Sequence, residues 1–366
     1  MRIVSINLLF IFIAFLAFEL SMGRWLGFNS FRDLSIPVSQ PFSLDTSDIY
    51  PGGKIIQYKT DQNGFRGTHE NTEDIFVLAI GGSTTREVMV GDGETWTDIF
   101  SRELSKAVGG NVGVANAGLD AQSTFGHIKA FDVWFNRIDD LKPKFVIAFI
   151  GINDQALGAP LAGFDDFQPS TLYQRIRNFV WNNSALYELY RRARGLYRAY
   201  AERVVHASRS RVESGDLYPN SPIKTYRGQL TPNKSQIDSV LHHLKAYGAR
   251  IRILIERIRS IGAIPIIVNQ IRGEFSEIGG IAKFKKIEGY SIDDMTKSYV
   301  YSKIFAKKAI RECRLQNAIC IDLASELVIL PNERYDLVHT TPEGSRRIGE
   351  YLGQKLLPLI VKQIGE

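Results

Sequence analysis

Four short segments, far apart in the chain, carry residue types able to perform acyl transfer. They are Gly81-Gly82-Ser83-Thr84-Thr85, Asn116-Ala117-Gly118, Gly151-Ile152-Asn153-Asp154 and Asp336-Leu337-Val338-His339. A serine hydroxyl is a poor nucleophile until a neighbour takes its proton. Ser83 is therefore the candidate nucleophile and His339 the candidate base. Asp336, three residues earlier, can reach the imidazole nitrogen that faces away from the serine, fix its tautomer and steady the imidazolium. The alkoxide that develops on an attacked carbonyl needs hydrogen-bond donors. The backbone amides of Ser83 and Gly118 and the side-chain amide of Asn153 are the candidates, each worth roughly 2.7–4 kcal/mol.

Each segment also has an ordinary structural reading. The Gly-Gly-Ser turn resembles a phosphate cradle, although the Walker lysine is missing. An Asp-x-x-His is a common surface turn ahead of a helix, and Asn-Asp after a strand often only caps a turn. What unites the four is position. Three follow apolar runs at 75–80, 112–115 and 145–150, and the fourth lies beyond another at 319–323. In an open α/β sheet, chemistry gathers beyond the carboxyl ends of the strands.

The elements that must do this positioning are legible as strands alternating with helices. A further strand is expected at 264–269. Helices are expected at about 95–108, 124–139, 234–261 and 297–316. A closing helix starts after Thr341-Pro342, an N-cap followed by a proline at the first helical position, and runs to about 364. Continuous apolar strands alternating with helices imply right-handed crossovers and a parallel sheet covered on both faces. A short strand is expected at 54–60, and Asn63-Gly64-Phe65-Arg66-Gly67 reads as a turn.

The chain has 366 residues, 44% hydrophobic and 23% charged, which suits one large α/β domain with additions. Residues 3–18 are almost wholly apolar, near the lower limit of the roughly 17–25 residues that span a bilayer. A cleaved secretory signal and an uncleaved anchor compete. The run ends Ala17-Phe18-Glu19-Leu20-Ser21-Met22, bulky where a signal needs small residues, which favours the anchor. The expected organisation is an anchor or signal at 1–24, a stem and arm at 25–73, and the catalytic domain at 74–366. Its short amino-terminal tail is expected on the cytoplasmic side, and the rest outside. Cys313 and Cys320 fit that compartment as a bridged pair, or are two free buried thiols.

A surplus segment at about 155–233 is too long for an ordinary loop. Its centre, 184–212, reads as a helix carrying Arg191, Arg192, Arg194, Arg198, Arg203, Arg209 and Arg211, interleaved with Tyr187, Tyr190, Tyr197 and Tyr200. It suits anionic headgroups or sugar, or a solvated helix whose tyrosines pack on the main domain. The net charge of +6 is too small to imply nucleic acid. His242 and His243 are adjacent on a helix and point apart. Asp165-Asp166 is a lone acidic pair in a loop. No cluster has metal-ligand spacing, so no metal is expected.

Taken together, the four segments resemble the SGNH hydrolase superfamily, also called GDSL esterases and lipases. That family carries Ser, Gly, Asn and His in this chain order, here Ser83, Gly118, Asn153 and His339, with Asp336 as the triad acid. Its first block usually reads Gly-Asp-Ser, and this chain has Gly81-Gly82-Ser83. Gly-Gly-Ser, Asn63-Gly64-Phe65-Arg66 and Gly93-Glu94-Thr95-Trp96 are similar to one branch that often carries an N-terminal anchor. The resemblance implies a flavodoxin-like three-layer α/β/α sandwich with a five-stranded parallel sheet in the order 2-1-3-4-5. It implies cofactor-free ester hydrolysis or acyl transfer, on an acylated glycan or a lipid. Two rivals share these residues: an O-acetyltransferase of a surface glycan, and a noncatalytic glycan- or partner-binding module of the cell envelope.

Overall fold

A computed structural model describes residues 2–23, 25, 31, 34–155, 157–167, 172–187, 189–190, 193, 221–286 and 289–364. The elements in chain order begin with α1 (Arg2–Met22), β1 (Pro41–Asp45), β2 (Ile55–Lys59), β3 (Arg66–Gly67) and β4 (Ile75–Gly81). Next come α2 (Ser83–Arg86), α3 (Trp96–Val108), β5 (Gly113–Gly118), α4 (Thr124–Val133), β6 (Phe145–Ile150) and α5 (Leu172–Asn183). Then follow β7 (Ile223–Tyr226), α6 (Lys234–Ser239), α7 (Leu241–Ser260), β8 (Ile264–Asn269), β9 (Ser276–Ile278) and β10 (Ile281–Lys285). The chain closes with α8 (Ile292–Leu315), β11 (Ile319–Ile321), α9 (Leu323–Glu326) and α10 (Pro342–Ile364).

The central sheet has six strands in the order β11-β8-β6-β4-β5-β3. The five strands from β11 to β5 pair in parallel. The sixth corrects the expectation of a purely parallel five-stranded sheet. Arg66 and Gly67, expected in a turn, pair antiparallel with Asn116 and Ala115. A two-residue edge strand has no periodicity to betray it.

Side chains along each inner strand alternate between two cores. Leu78, Ile80, Val146, Ala148 and Ile267 face one core, completed by Ile251 and Leu254 of α7 and Phe305 of α8. Val77, Ala79, Ile147, Phe149 and Val268 face the other, completed by Trp96 and Phe100 of α3 and Leu352 and Leu356 of α10. Both faces are dry, which explains why these strands read as unbroken apolar runs. Cys313 of α8 and Cys320 of β11 are joined by a disulfide.

Other elements depart from expectation. The helix expected at 234–261 is two, α6 and α7, divided at Val240, whose φ of −113° and ψ of 8° leave the helical region. The one expected at 124–139 stops at Val133 and passes into a 3₁₀ turn at Phe135–Arg137. α8 starts earlier than expected, because Ser291 caps it by accepting from the Asp294 amide. β1 and β2 form a hairpin, and Phe31 and Leu34 already belong to the main core, so the N-terminal arm packs on the domain. β7, at the end of the surplus segment, pairs with β10 in a second, three-stranded sheet. The seven arginines of the Arg/Tyr stretch, with Tyr197 and Tyr200, lie outside the described residues. The described side chains of α1 are Ile6, Asn7 and those of 9–22, mostly apolar and exposed. Among the described residues no helix is long and apolar enough to cross a membrane.

Candidate active site

β4 delivers the chain to Gly81, and a single turn of helix, α2, begins at Ser83. Gly82 sits between because a Cβ there would stand 2.6 Å from Asn153 Nδ2. α2 is held from several sides. The Thr84 hydroxyl donates to Gln270 Oε1 at 2.7 Å, and the Gln270 amide donates to the Phe149 carbonyl at 2.9 Å. Trp96 Nε1 donates to the Thr84 carbonyl at 3.2 Å, and Asn116 Nδ2 to the Thr85 carbonyl at 2.6 Å. Arg66 donates to the carbonyls of Arg86 and Glu87 at 2.7 and 2.9 Å. The nucleophile turn is thus clamped by β3, β5, β6 and the end of β8.

His339 arrives on the segment between α9 and α10. Its Nε2 lies 2.7 Å from Ser83 Oγ, and its Nδ1 lies 2.7 Å from Asp336 Oδ2. The ionised carboxylate can only accept. The network therefore assigns the proton to Nδ1 and leaves Nε2 to accept from the serine hydroxyl. Asp336 Oδ1 accepts from the amides of Val338 and His339 at 2.7 and 2.6 Å, locking the carboxylate to its own turn. Burial pushes Asp336 upward, but the His339 charge and these hydrogen bonds outweigh it, and the carboxyl ends below its usual range. Burial likewise pulls His339 down, and Asp336 reverses it, so the imidazole is a stronger base than in water. Tyr335 lies parallel to the imidazole, centroids 5.5 Å apart and planes 8° apart, and packs in turn on Tyr50 of the N-terminal arm.

Asn153 lies in a 3₁₀ turn, Ile152–Asp154, just beyond β6. Its Nδ2 donates to the Gln122 carbonyl at 2.9 Å, which uses one amide hydrogen and leaves the second. Ser83, Gly82, Gln122 and Asn153 line one small recess. Asp154 anchors the turn: fully buried, it accepts from the Thr124 amide and hydroxyl at 3.0 and 2.6 Å and pairs with Arg250 at 3.3 Å.

Gly118 corrects an expectation. Its amide already donates to Asn116 Oδ1 at 3.0 Å, and a Cβ there would meet Arg86 N at 2.2 Å. Gly118 lets β5 approach the backbone of α2, and its committed amide does not fit an oxyanion role. The structure thus brings His339, and Asp336 behind it, to Ser83 and sets Asn153 beside Ser83 in one recess, whose lining does not include Gly118.

Several site residues carried no sequence signal. Glu87, four residues after Ser83, is buried, with a left-handed φ of 49°. Its carboxylate accepts from the Trp96 amide at 2.8 Å, from the Thr340 hydroxyl at 3.2 Å and from the Ser345 hydroxyl. Burial pushes it up to about 7 against those hydrogen bonds. Asp165, expected as part of a loose acidic pair, is buried and accepts from Ser123 and from the amides of Gly126 and Leu161. His242 and His243 stay in α7, ring centroids 5.7 Å apart, away from Ser83. Among the described residues no group of His, Cys, Asp and Glu is arranged to hold a metal.

Beside the recess opens a cavity of about 370 Å³, whose lining includes Thr84, Phe149, Ile152, Gln270 and Val338. All five also line the recess that contains Ser83 and Asn153.

No family model matches the chain, and no curated protein matches it. Solved structures similar to it include TesA, at 11% identity over 77% of this chain and 98% of that one, with a TM-score of 0.39. Est24, a carbohydrate acetylesterase from Sinorhizobium meliloti, is similar at 11% identity over 80% of this chain and 99% of that one, with a TM-score of 0.38. The psychrotrophic esterase EstA from Pseudoalteromonas sp. is similar at 12% identity over 79% and 98%, with a TM-score of 0.37.

Proposed function

We propose that this chain is a serine esterase of the SGNH type that cleaves acyl esters, acetyl esters foremost, through an acyl-enzyme. The observation that carries the reading is the relay Ser83–His339–Asp336, two successive contacts of 2.7 Å each. Ser83 Oγ attacks the ester carbonyl while His339 Nε2 takes its proton. The tetrahedral oxyanion is held by the Ser83 amide and the remaining Asn153 hydrogen. The amide of Ala121 takes the place expected of Gly118. Ala121 adopts a left-handed φ of 57°, unusual for a residue with a Cβ, in the loop whose Gln122 carbonyl receives Asn153. Collapse expels the alcohol, which takes the proton back from His339. Water, deprotonated by the same imidazole, then releases the acid and restores Ser83.

The same reading places the enzyme outside the cytoplasm on an N-terminal anchor. Apolar side chains such as Phe10 and Phe12, exposed along α1, support attachment to a membrane. The Cys313–Cys320 disulfide supports an oxidising compartment.

The test is a fluorophosphonate probe on the full-length protein in detergent. Labelling of the wild type and loss of labelling in Ser83→Ala is the expected result. An unlabelled wild type, or equal labelling of both, would overturn the esterase reading. Partition of the chain into the soluble fraction after alkaline washing of membranes would overturn the anchor.

A further inference from the structure

The cavity beside Ser83 is not closed at its far end. Lys307 lines it, and Lys307 also lines a second, more open groove of about 440 Å³ formed with Ile310, Arg311, Arg314, Leu315 and Asp322. Lys307, Arg311 and Arg314 recur at i, i+4 and i+7 on α8, so they form one exposed row about 10 Å long on a single helix face. None of the three forms a salt bridge among the described residues, although Arg314 lies near enough to Glu326 to lower its pKa. The neighbouring cations behave otherwise: Lys303 pairs with Glu277 at 2.6 Å, and Lys308 and Arg252 with Glu312. Among the described residues the one carboxylate lining the groove is Asp322, which already accepts from Asn269 Nδ2 at 2.7 Å. A groove with a surplus of cations that form no salt bridge among the described residues thus meets, at Lys307, the cavity beside Ser83. The cavity wall itself mixes ring faces, Phe149, Phe275 and Tyr299, with the polar groups of Gln270, Ser276 and Glu277. With aliphatic residues such as Ile271 and Val338 also in the wall, the lining can take both a sugar ring and the acyl group it carries.

We propose that the groove along α8 binds an anionic glycan, so that the acylated sugar enters the cavity while neighbouring carboxylate- or phosphate-bearing sugars lie along Lys307, Arg311 and Arg314. The proposal names the substrate class of the site and rests on the esterase reading for the ester, but not for the binding. Guanidinium groups suit carboxylate and phosphate alike, so the chemistry shared by the two sources is the negative charge on a sugar chain.

Binding and turnover are therefore measured separately on the full-length protein. Titration calorimetry with an unacylated hexuronate oligosaccharide, a phosphate-bearing oligosaccharide and a neutral xylo-oligosaccharide of equal length tests the groove without requiring catalysis. The expected result is preference for one or both anionic chains. The triple variant Lys307→Glu/Arg311→Glu/Arg314→Glu should weaken that binding about tenfold or more, an effect that salt reduces. Circular dichroism of the same variant should match wild type, because exposed charge reversals away from the core leave the fold unchanged. Absence of p-nitrophenyl acetate hydrolysis by the wild type would sink the esterase reading and leave the groove to the calorimetry. Equal affinity for neutral and anionic chains, or anionic affinity unchanged in the triple variant, would overturn the groove. Loss of binding to anionic phospholipid vesicles in that variant, with glycan binding unaltered, would assign the row to a membrane surface and overturn it equally.

Discussion

Glu87 ties the nucleophile turn to the histidine segment, and its burial makes the tie pH-dependent. One carboxylate joins the turn after Ser83 to Thr340, the residue after His339, and to Ser345 on α10. Its folded value of about 7 lies above the 4.5 of an unperturbed glutamate, a gap equivalent to about 3 kcal/mol. Because the folded pKa is the higher one, the native state holds this proton more tightly than the unfolded chain does. The stabilisation tied to it is complete below about pH 4.5 and is lost as pH climbs through about 7. Between pH 5.5 and 8.5 this carboxyl should remove about 2 kcal/mol of stability. Glu87→Gln removes the titration and keeps the shape. Its oxygen can accept from the Trp96 amide, and its NH₂ can donate to the Thr340 and Ser345 hydroxyls, which are 3.0 Å apart and free to turn. Urea unfolding of the full-length wild type and variant, followed by tryptophan fluorescence at both pH values, gives four midpoints. The variant should gain about 2 kcal/mol on the wild type between the lower and the higher pH. A difference that is the same at both pH values would refute the reasoning, whatever the variant's absolute stability.

Asn153→Ala should lower kcat on an aryl acetate by about 10²–10³ while circular dichroism stays unchanged; an unaltered rate would remove Asn153 from the oxyanion site. The pH profile of kcat/KM should rise through an apparent pKa above 6.5, since His339 acts unprotonated and Asp336 raises it. Asp336→Asn should cut kcat by about 10⁴ and move that limb to lower pH, because the burial that favours neutral imidazole would then act unopposed. Asp154→Ala should destabilise the fold by about 3–5 kcal/mol, because it strands the Arg250 guanidinium in the interior; a melting temperature equal to wild type would contradict it.

The strands that carry the site were legible because each is buried on both faces. Ile75–Gly81 and Phe145–Ile150 are apolar without interruption, and chemistry-bearing residues stand just beyond them. Asp336 and His339 could be paired because one turn lets them meet and because they stand beyond the apolar run at 319–323; their spacing alone is common by chance. Gly118 was misjudged because a glycine near a nucleophile has two uses, to offer an amide or to admit a neighbour. Only the position of Arg86 N and Asn116 Oδ1 decides between them. Glu87 and Gln270 were silent, and Arg66 was read only within a turn and a resemblance, for a related reason. Each acts through contacts distant in sequence, such as Thr84 to Gln270 across 186 positions, and no local pattern encodes a partner that far away. The hairpin β1–β2 was half seen, because strand 55–59 alternates in burial while its partner, with Pro41 and Asp45 at its ends, does not.

The attachment of Phe31 and Leu34 to the main core sets a leash length. Between Met22, where α1 ends, and Phe31, where the chain is already gripped, a fully stretched backbone reaches about 30 Å. If α1 is held at a membrane, as proposed, the folded domain stays within about that distance of it.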